Sequence, residues 1–263
     1  MPVTKVIAFA NNKGGSGKST TCSNVGYCLA SLGKKVLLID GDMQMNLTLS
    51  FFSEDEALEY AKGGNNLYIA VKEQKDISDF IAKTNYENLD IVPSSTLMSS
   101  IEVDLFTKWQ REFILRRGLE NVKKSGHYDY ILIDSPPTLG GWVMNILCAS
   151  DHLIIPVEAS PWGLFGLANM FDFYSQVKTM SPELDLLGIV ITKADERKNY
   201  FKQALDSLGS IEGVRLFENI IRVDSAVEWA QDNSQPVASY KKNSRSAKEY
   251  IELAKEIDKY VNR

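Results

Sequence analysis

The sequence predicts an α/β fold: a largely parallel, twisted β-sheet flanked by helices on both faces. Three observations carry this expectation. Short, continuous runs of Val, Ile and Leu recur along the chain, as strands covered on both faces require. Segments with apolar residues at helical spacing separate these runs, the alternation that parallel sheets show. A glycine-rich stretch directly follows the first run and opens the first helical segment.

The elements follow in order. Residues 6–10 and 36–39 read as the first two strands, joined by a helix over 18–32 that stops at Gly33. The stretch 53–88 is the least regular, with Lys62-Gly63-Gly64-Asn65-Asn66 as a surface turn. Apolar spacing predicts one helix over 104–124, ahead of a strand at 130–133. Strands at 153–157 and 186–191 enclose a helix over 164–179 that follows Pro161, and a helix over 246–261 closes the chain. Neither an internal repeat nor a low-complexity tract divides the sequence, so residues 1–263 read as a single domain.

Composition narrows the classes. The chain has 263 residues, 44% of them hydrophobic and 24% charged, enough for a sizeable core and too ordered for a disordered tail. A net charge of −5 excludes a generally basic coat for nucleic acid but leaves room for a local basic patch. Three scattered cysteines, Cys22, Cys28 and Cys148, read as reduced core thiols, and no Cys/His cluster suggests a metal site. The start of the chain reads as a strand and not as a signal peptide, and no apolar run has the length of a bilayer span.

The most specific motif is Lys13-Gly14-Gly15-Ser16-Gly17-Lys18-Ser19-Thr20. Between a strand and a helix it forms a phosphate-binding loop, which makes the predicted fold that of a P-loop NTPase. Glycines let backbone N–H groups turn inward without a Cβ clash, and the helix N-terminus adds a favourable dipole. Lys18 then reaches the β- and γ-phosphates, Ser19 supplies a hydroxyl ligand to Mg²⁺, and Thr20 lies at the α-phosphate. Two strand ends add the acids that hydrolysis needs. The run 36–39 leads into Asp40-Gly41-Asp42-Met43-Gln44-Met45-Asn46, and the run 130–133 into Asp134-Ser135-Pro136-Pro137, the Walker B pattern in which Asp134 holds Mg²⁺ through water.

A lysine ahead of paired glycines is not required by ordinary phosphate loops. With it, the chain resembles the deviant Walker ATPases, and most of all the ParA family of DNA-partitioning ATPases, of the small, Soj-like kind. Asn88-Leu89-Asp90-Ile91-Val92-Pro93, Ala149-Ser150-Asp151 through Pro156-Val157, Gly188 through Asp195, and Ile221-Arg222 through Gln235-Pro236-Val237 resemble further family segments, so the likeness covers nearly the whole chain. The resemblance implies that Lys13 acts in trans on a partner's nucleotide, that Asp42 orients the attacking water, and that Asp40 faces the outer shell of the metal. It places Lys193, Asp195 and Arg222 near the nucleotide. The chain departs from the family pattern at Met43, usually proline, and Met45, usually glycine. Because it starts almost at the first strand, the N-terminal helix-turn-helix extension of larger ParA proteins is not expected.

From the resemblance follow a cytoplasmic, nucleoid-associated homodimer assembled by ATP and Mg²⁺, non-specific binding to double-stranded DNA, and hydrolysis stimulated by a ParB-like centromere-binding protein. The DNA-binding candidates are Arg197, Lys198, Lys202, Arg222, Lys241, Lys242 and Arg245. Rival readings are a MinD-like membrane-cycling ATPase and a nucleotide-bound adaptor with negligible turnover. The mixed charge of the closing helix argues against the first and suits packing on the domain better than anionic lipid. Cys148 stands alone where an iron–sulfur carrier would need more cysteines, and Tyr250 and Tyr260 do not form the tyrosine-rich tail of a bacterial tyrosine kinase.

Overall fold

In the computed structural model, which describes residues 3–160 and 166–262, seven strands form one sheet. They are β1 (Lys5–Phe9), β2 (Val36–Asp40), β3 (Ala82–Lys83), β4 (Leu89–Val92), β5 (Tyr130–Asp134), β6 (His152–Glu158) and β7 (Asp185–Thr192), in the order β3-β4-β2-β5-β1-β6-β7. All neighbours are parallel except β3, which runs antiparallel to β4 at the edge.

The continuous apolar runs have the expected cause. Alternate residues of one strand enter different cores: Val6 and Ala8 face one side and Ile7 and Phe9 the other, as do Leu37 and Ile39 against Val36 and Leu38. One layer holds the helices Lys18–Ser31, Ser225–Asp232 and Arg245–Val261, the other the helices Leu67–Lys72, Gly141–Cys148, Leu167–Met180 and Asn199–Gly209. Gly33, at φ 86°, ends the first long helix, as its position in the sequence predicts.

Three expectations change. The segment 104–124 is not one helix but Ile101–Leu105, Ile114–Gly118 and Glu120–Ser125, with a 3₁₀ turn at Arg111–Phe113. Gln110 takes a left-handed φ of 48°, and Asn145, from the neighbouring helix, accepts from Leu115 N–H (3.2 Å) and donates to Arg111 O. Tertiary capping thus breaks a stretch whose apolar spacing is helical throughout. The strand β4 escapes the search for apolar runs because it carries a buried acid: Asp90 accepts from Tyr128 OH (2.6 Å) and Lys83 Nζ (2.7 Å). The irregular stretch 53–88 contains two helices, Glu54–Gly63, opened by a Ser53/Glu56 capping box, and Leu67–Lys72, capped by Asn66. The turn between them is where the sequence places it, with Gly64 at φ 80°. The helix read over 164–179 begins at Leu167; Pro161 and Leu164 lie outside the described residues.

Candidate nucleotide site

The strand order creates the site. β5 lies between β1 and β2, so the ends of three strands stand side by side, with Asp134 in register with Phe9 on one side and with Asp40 on the other. The glycine-rich loop leaves β1 at this edge, the position at which open α/β sheets bind ligands.

The loop is held from below. Asn11 Nδ2 donates to Pro156 O (2.7 Å) and Asn11 Oδ1 accepts from Lys13 N–H (3.0 Å). Thr192, at the end of β7, donates to Ser16 O (2.8 Å). Gly17 needs to be glycine twice over: its φ is 84°, and a Cβ would lie 3.3 Å from Thr192 Oγ1. It also caps the helix Lys18–Ser31 without a side-chain acceptor, so no side chain competes for the N–H groups of that N-terminus. Gly14 and Gly15 are exposed, Ser19 and Thr20 half-buried.

Lys18 is buried, and its ammonium donates to Lys13 O (3.2 Å). Burial lowers its pKa, against the pull of Asp134 and Asp42. Lys13 points elsewhere: its Nζ lies 3.4 Å from Glu158 Oε2 and 3.1 Å from Ser160 Oγ. The two lysines of the loop therefore occupy different places, one inside the site and one at its rim.

The acids divide their tasks. Asp40 is fully occupied: Oδ2 accepts from the backbone and the hydroxyl of Thr48 (both 2.7 Å), and Oδ1 from Asp42 N–H (3.2 Å). Burial raises its pKa to about 6 while the Thr48 bonds oppose. Asp134 is buried with neither oxygen in a hydrogen bond of good geometry. Its pKa stands well above the usual carboxylate range, through burial first and neighbouring Asp40 second, with the nearby Ser19 hydroxyl and Lys18 pulling the other way. Asp42 accepts from Gln44 N–H (3.1 Å); burial raises it too, while that bond and Lys18 oppose. Of the two acids assigned to the metal, Asp40 spends its oxygens on the loop and Asp134 keeps both for a ligand.

The departure at Met45 leaves the turn intact. Met45 adopts φ 58° and ψ 23°, the left-handed conformation that favours glycine, and buries its side chain. A strain of about 1–2 kcal/mol is set against about 1.5–3 kcal/mol from burying the thioether chain. Met43 is exposed.

A second cavity of about 270 Å³ adjoins the loop, lined by Gly17, Thr20, Lys193, Arg222, Asp224 and Gln231 among others. Lys193 enters it from β7 with a left-handed φ of 50°. Asp195 is not among the lining residues; its carboxylate pairs with Arg197 (2.8 and 2.9 Å). Sequence reasoning missed Asp224 and Gln231. Asp224 caps the helix Ser225–Asp232 through Ala226 N–H (3.0 Å) and accepts from Ser246, and Gln231 donates to Thr20 Oγ1 (3.0 Å). An Asp-Ser pair ahead of apolar residues is a capping signal that points to the first; nothing local points to the second.

The basic candidates are brought together only in part. Arg222 is neutralised by Glu249 (2.6 Å) and Glu196 (3.2 Å), and Arg245 approaches the same Glu249 at 3.8 Å. Lys198 and Lys202 are exposed, as is Lys242, and Lys241 lies 5.0 Å above the ring of half-exposed Trp229.

A parallel sheet with a phosphate loop at the end of β1 and two acidic strand ends beside it defines a nucleoside triphosphatase of the phosphate-loop class. Residues 4–186 match the family described as AAA domain. Sporulation initiation inhibitor protein Soj of Bacillus subtilis is 35% identical over 254 residues, covering 96% of this chain and 98% of the relative. Chromosome partitioning protein ParA of Caulobacter vibrioides is 30% identical, with 96% and 93% covered. Among solved structures, cobyrinic acid a,c-diamide synthase from Mycobacterium smegmatis with bound ATP analogue and magnesium superimposes with a TM-score of 0.83 at 27% identity, covering 96% of this chain and 93% of that one. The chain belongs to the ParA/Soj family of partition ATPases.

Proposed function

We propose that this ATPase is an ATP-timed dimerisation switch that moves DNA, acting with Mg²⁺. The observation that carries the reading is the separation of the two loop lysines. Lys18 serves the site of its own chain. Lys13 is parked at the rim on Glu158 and Ser160, in a half-exposed contact worth no more than about 1 kcal/mol, so a partner's triphosphate recruits it cheaply.

Within one chain, the backbone of Gly14, Gly15, Ser16 and Gly17 and the free helix N-terminus bind the triphosphate, while Thr20, Lys193 and Arg222 border the cavity that takes the rest of the nucleotide. The residues fit Mg²⁺: Asp134 offers two unpartnered buried oxygens beside the Ser19 hydroxyl, hard donors that a small cation prefers. Mg²⁺ when bound neutralises charge developing on the phosphate oxygens. Asp40 positions the loop from which Asp42 orients the attacking water. Loss of the γ-phosphate removes the charge that Lys13 neutralises across the interface, and the pair separates.

Two copies present basic surface together, so binding to double-stranded DNA follows ATP, with Lys241, Lys242, Lys198 and Lys202 touching phosphates without reading sequence. A ParB-like protein stimulates hydrolysis and resets the cycle on the nucleoid, in the cytoplasm. A membrane-cycling role finds no support in the closing helix, whose Tyr250, Leu253 and Ile257 are spent on the core. No helix among the described residues is long and apolar enough to cross a membrane.

Sedimentation velocity with Mg²⁺ and ATP tests the reading. The wild type shifts from monomer to dimer and acquires DNA binding; Lys13→Ala binds ATP but stays monomeric and off DNA. Undiminished dimerisation of Lys13→Ala overturns the proposal.

A further inference from the structure

We infer that Trp142 is a positioning residue for ATP hydrolysis, its indole N–H holding the peptide of Gly41 so that Asp42 keeps its place beside Asp134. The inference rests on the proposed role of Asp42 as the acid that orients water.

Gly41 lies between Asp40 and Asp42, and both of its backbone groups are engaged. Its N–H donates to Asp134 O (3.0 Å) and its carbonyl accepts from Trp142 Nε1 (2.8 Å). The first bond ties the Asp40–Asp42 loop to the end of β5, the second to the helix Gly141–Cys148 that follows β5. A residue held at both its N–H and its carbonyl fixes the direction in which the chain leaves it, and the next residue is Asp42.

The packing is specific to this pairing. A Cβ on Gly41 would lie 2.6 Å from Asp134 O, 3.0 Å from Ile146 Cδ1 and 3.4 Å from Trp142 Nε1. Glycine is therefore required here by the close approach of Asp134 O and Ile146, with the indole in ordinary contact. Trp142 is 2% exposed, so no water takes its place if the donor is lost, and the Gly41 carbonyl would be left buried without a partner.

Trp142 is itself held. Its backbone N–H donates to Glu102 Oε1 (3.3 Å), and that carboxylate passes so close to Gly140 that a Cβ there would lie 2.0 Å from it. Other bonds to the acid loop come from other directions, among them Ser94 Oγ donating to Asp42 O (2.7 Å), Thr48 to Asp40 Oδ2 and Asp42 N–H to Asp40 Oδ1. The hydrogen bond that ties the loop to the helix Gly141–Cys148 is the one from the indole. The indole N–H is given to the Asp40–Asp42 loop and not to the Lys13–Thr20 loop, so the expected effect is on the reaction and not on triphosphate binding.

The experiment separates a lost donor from a lost volume. Trp142 is replaced by β-(3-benzothienyl)alanine, which keeps the ring shape and puts sulfur in place of N–H, and in parallel by phenylalanine (Trp142→Phe). Steady-state hydrolysis of Mg²⁺–ATP gives kcat and KM, with Asp42→Asn as control. The expected result is a kcat lower by about tenfold in the benzothienyl protein, the scale of a small misplacement of a reacting group, with KM for ATP unchanged within about twofold. Wild-type kcat in the benzothienyl protein, with Asp42→Asn inactive, overturns the inference and leaves the Asp42 reading standing. Wild-type kcat in Asp42→Asn overturns both. A fall in kcat matched by an equal rise in KM also overturns it, because it marks general disruption of the site. If Trp142→Phe fails to fold, the isosteric protein still decides.

Discussion

Asp134 shows how a single residue carries the conflict between stability and chemistry. Two buried acids, Asp42 and Asp134, act on one lysine, Lys18, with Asp40 beside Asp134, and Asp134 has no hydrogen bond of good geometry to offset its burial. Its pKa in the folded chain is raised above the unfolded value. Its contribution to stability is therefore fully present below the ordinary carboxylate pKa and lost as pH rises through the folded value. Replacing it by a neutral isostere removes that loss. In EDTA without nucleotide, Asp134→Asn is expected to be more stable than the wild type at pH 8 by about 1–3 kcal/mol, with the gap closing as pH falls. Thermal melts from pH 5 to pH 8 check this, and a gap that widens on acidification contradicts it. The same variant is expected to lose Mg²⁺-dependent hydrolysis, because one carboxylate oxygen and the negative charge offered to the cation are gone.

Among the elements, the short helix Ser225–Asp232 does the most with the least. Its cap, Asp224, accepts from Ala226 N–H (3.0 Å) and from the backbone (3.1 Å) and hydroxyl (3.0 Å) of Ser246, the second residue of the closing helix. Burial pushes the Asp224 carboxyl up, but these hydrogen bonds outweigh it and hold the pKa below the usual value. One side chain thus fixes the start of two helices, and the first of them carries Gln231 to Thr20 at the loop. Asp224→Ala is expected to cost about 1–3 kcal/mol in urea unfolding and to raise KM for ATP severalfold with little change in kcat. A lowered kcat at unchanged KM would place the residue in the chemistry instead. The closing helix makes a related point. Its mixed polar face covers Glu249, which binds the guanidinium and backbone of Arg222, and Glu256, which accepts from the N–H groups of Glu218 and Asn219. Two of the acids that argue against a lipid surface in the sequence, Glu249 and Glu256, are thus hydrogen-bonded to the body of the molecule.

For the whole molecule, the proposed binding to DNA raises the question of how a chain with net charge −5 would meet a polyanion. Arg222 and Arg245 share Glu249, and Arg197 is paired with Asp195, so much of the basic character seen in the sequence is cancelled locally. Of the candidates, the exposed Lys198, Lys202, Lys241 and Lys242 carry what remains, four in one copy. Under the proposed switch, two copies on one duplex would double the phosphate contacts and tie affinity to dimerisation by ATP. Lys241→Ala combined with Lys242→Ala is expected to reduce the slope of log K against log salt by about 2 to 4 for a dimer, with ATP-dependent dimerisation intact. Fluorescence anisotropy on a labelled duplex between 50 and 200 mM salt gives the slope; an unchanged slope removes these lysines from the interface.

The phosphate loop was legible from the sequence because its chemistry is local. Glycine conformation, the helix N-terminus and Lys18 act within eight consecutive residues, and their spacing declares them. The buried strands were legible for the same reason, as burial on both faces writes itself into consecutive residues. What the sequence could not declare is whatever depends on neighbours across the sheet. The register that sets Asp134 between Phe9 and Asp40, the split of tasks between Asp40 and Asp134, the capping by Asn145 that breaks 104–124, and the indole of Trp142 on Gly41 all join residues remote in the chain. Strand order and side-chain contact decide these, because a hydrogen bond or a displaced pKa belongs to a pair brought together by packing and leaves no mark on either residue alone.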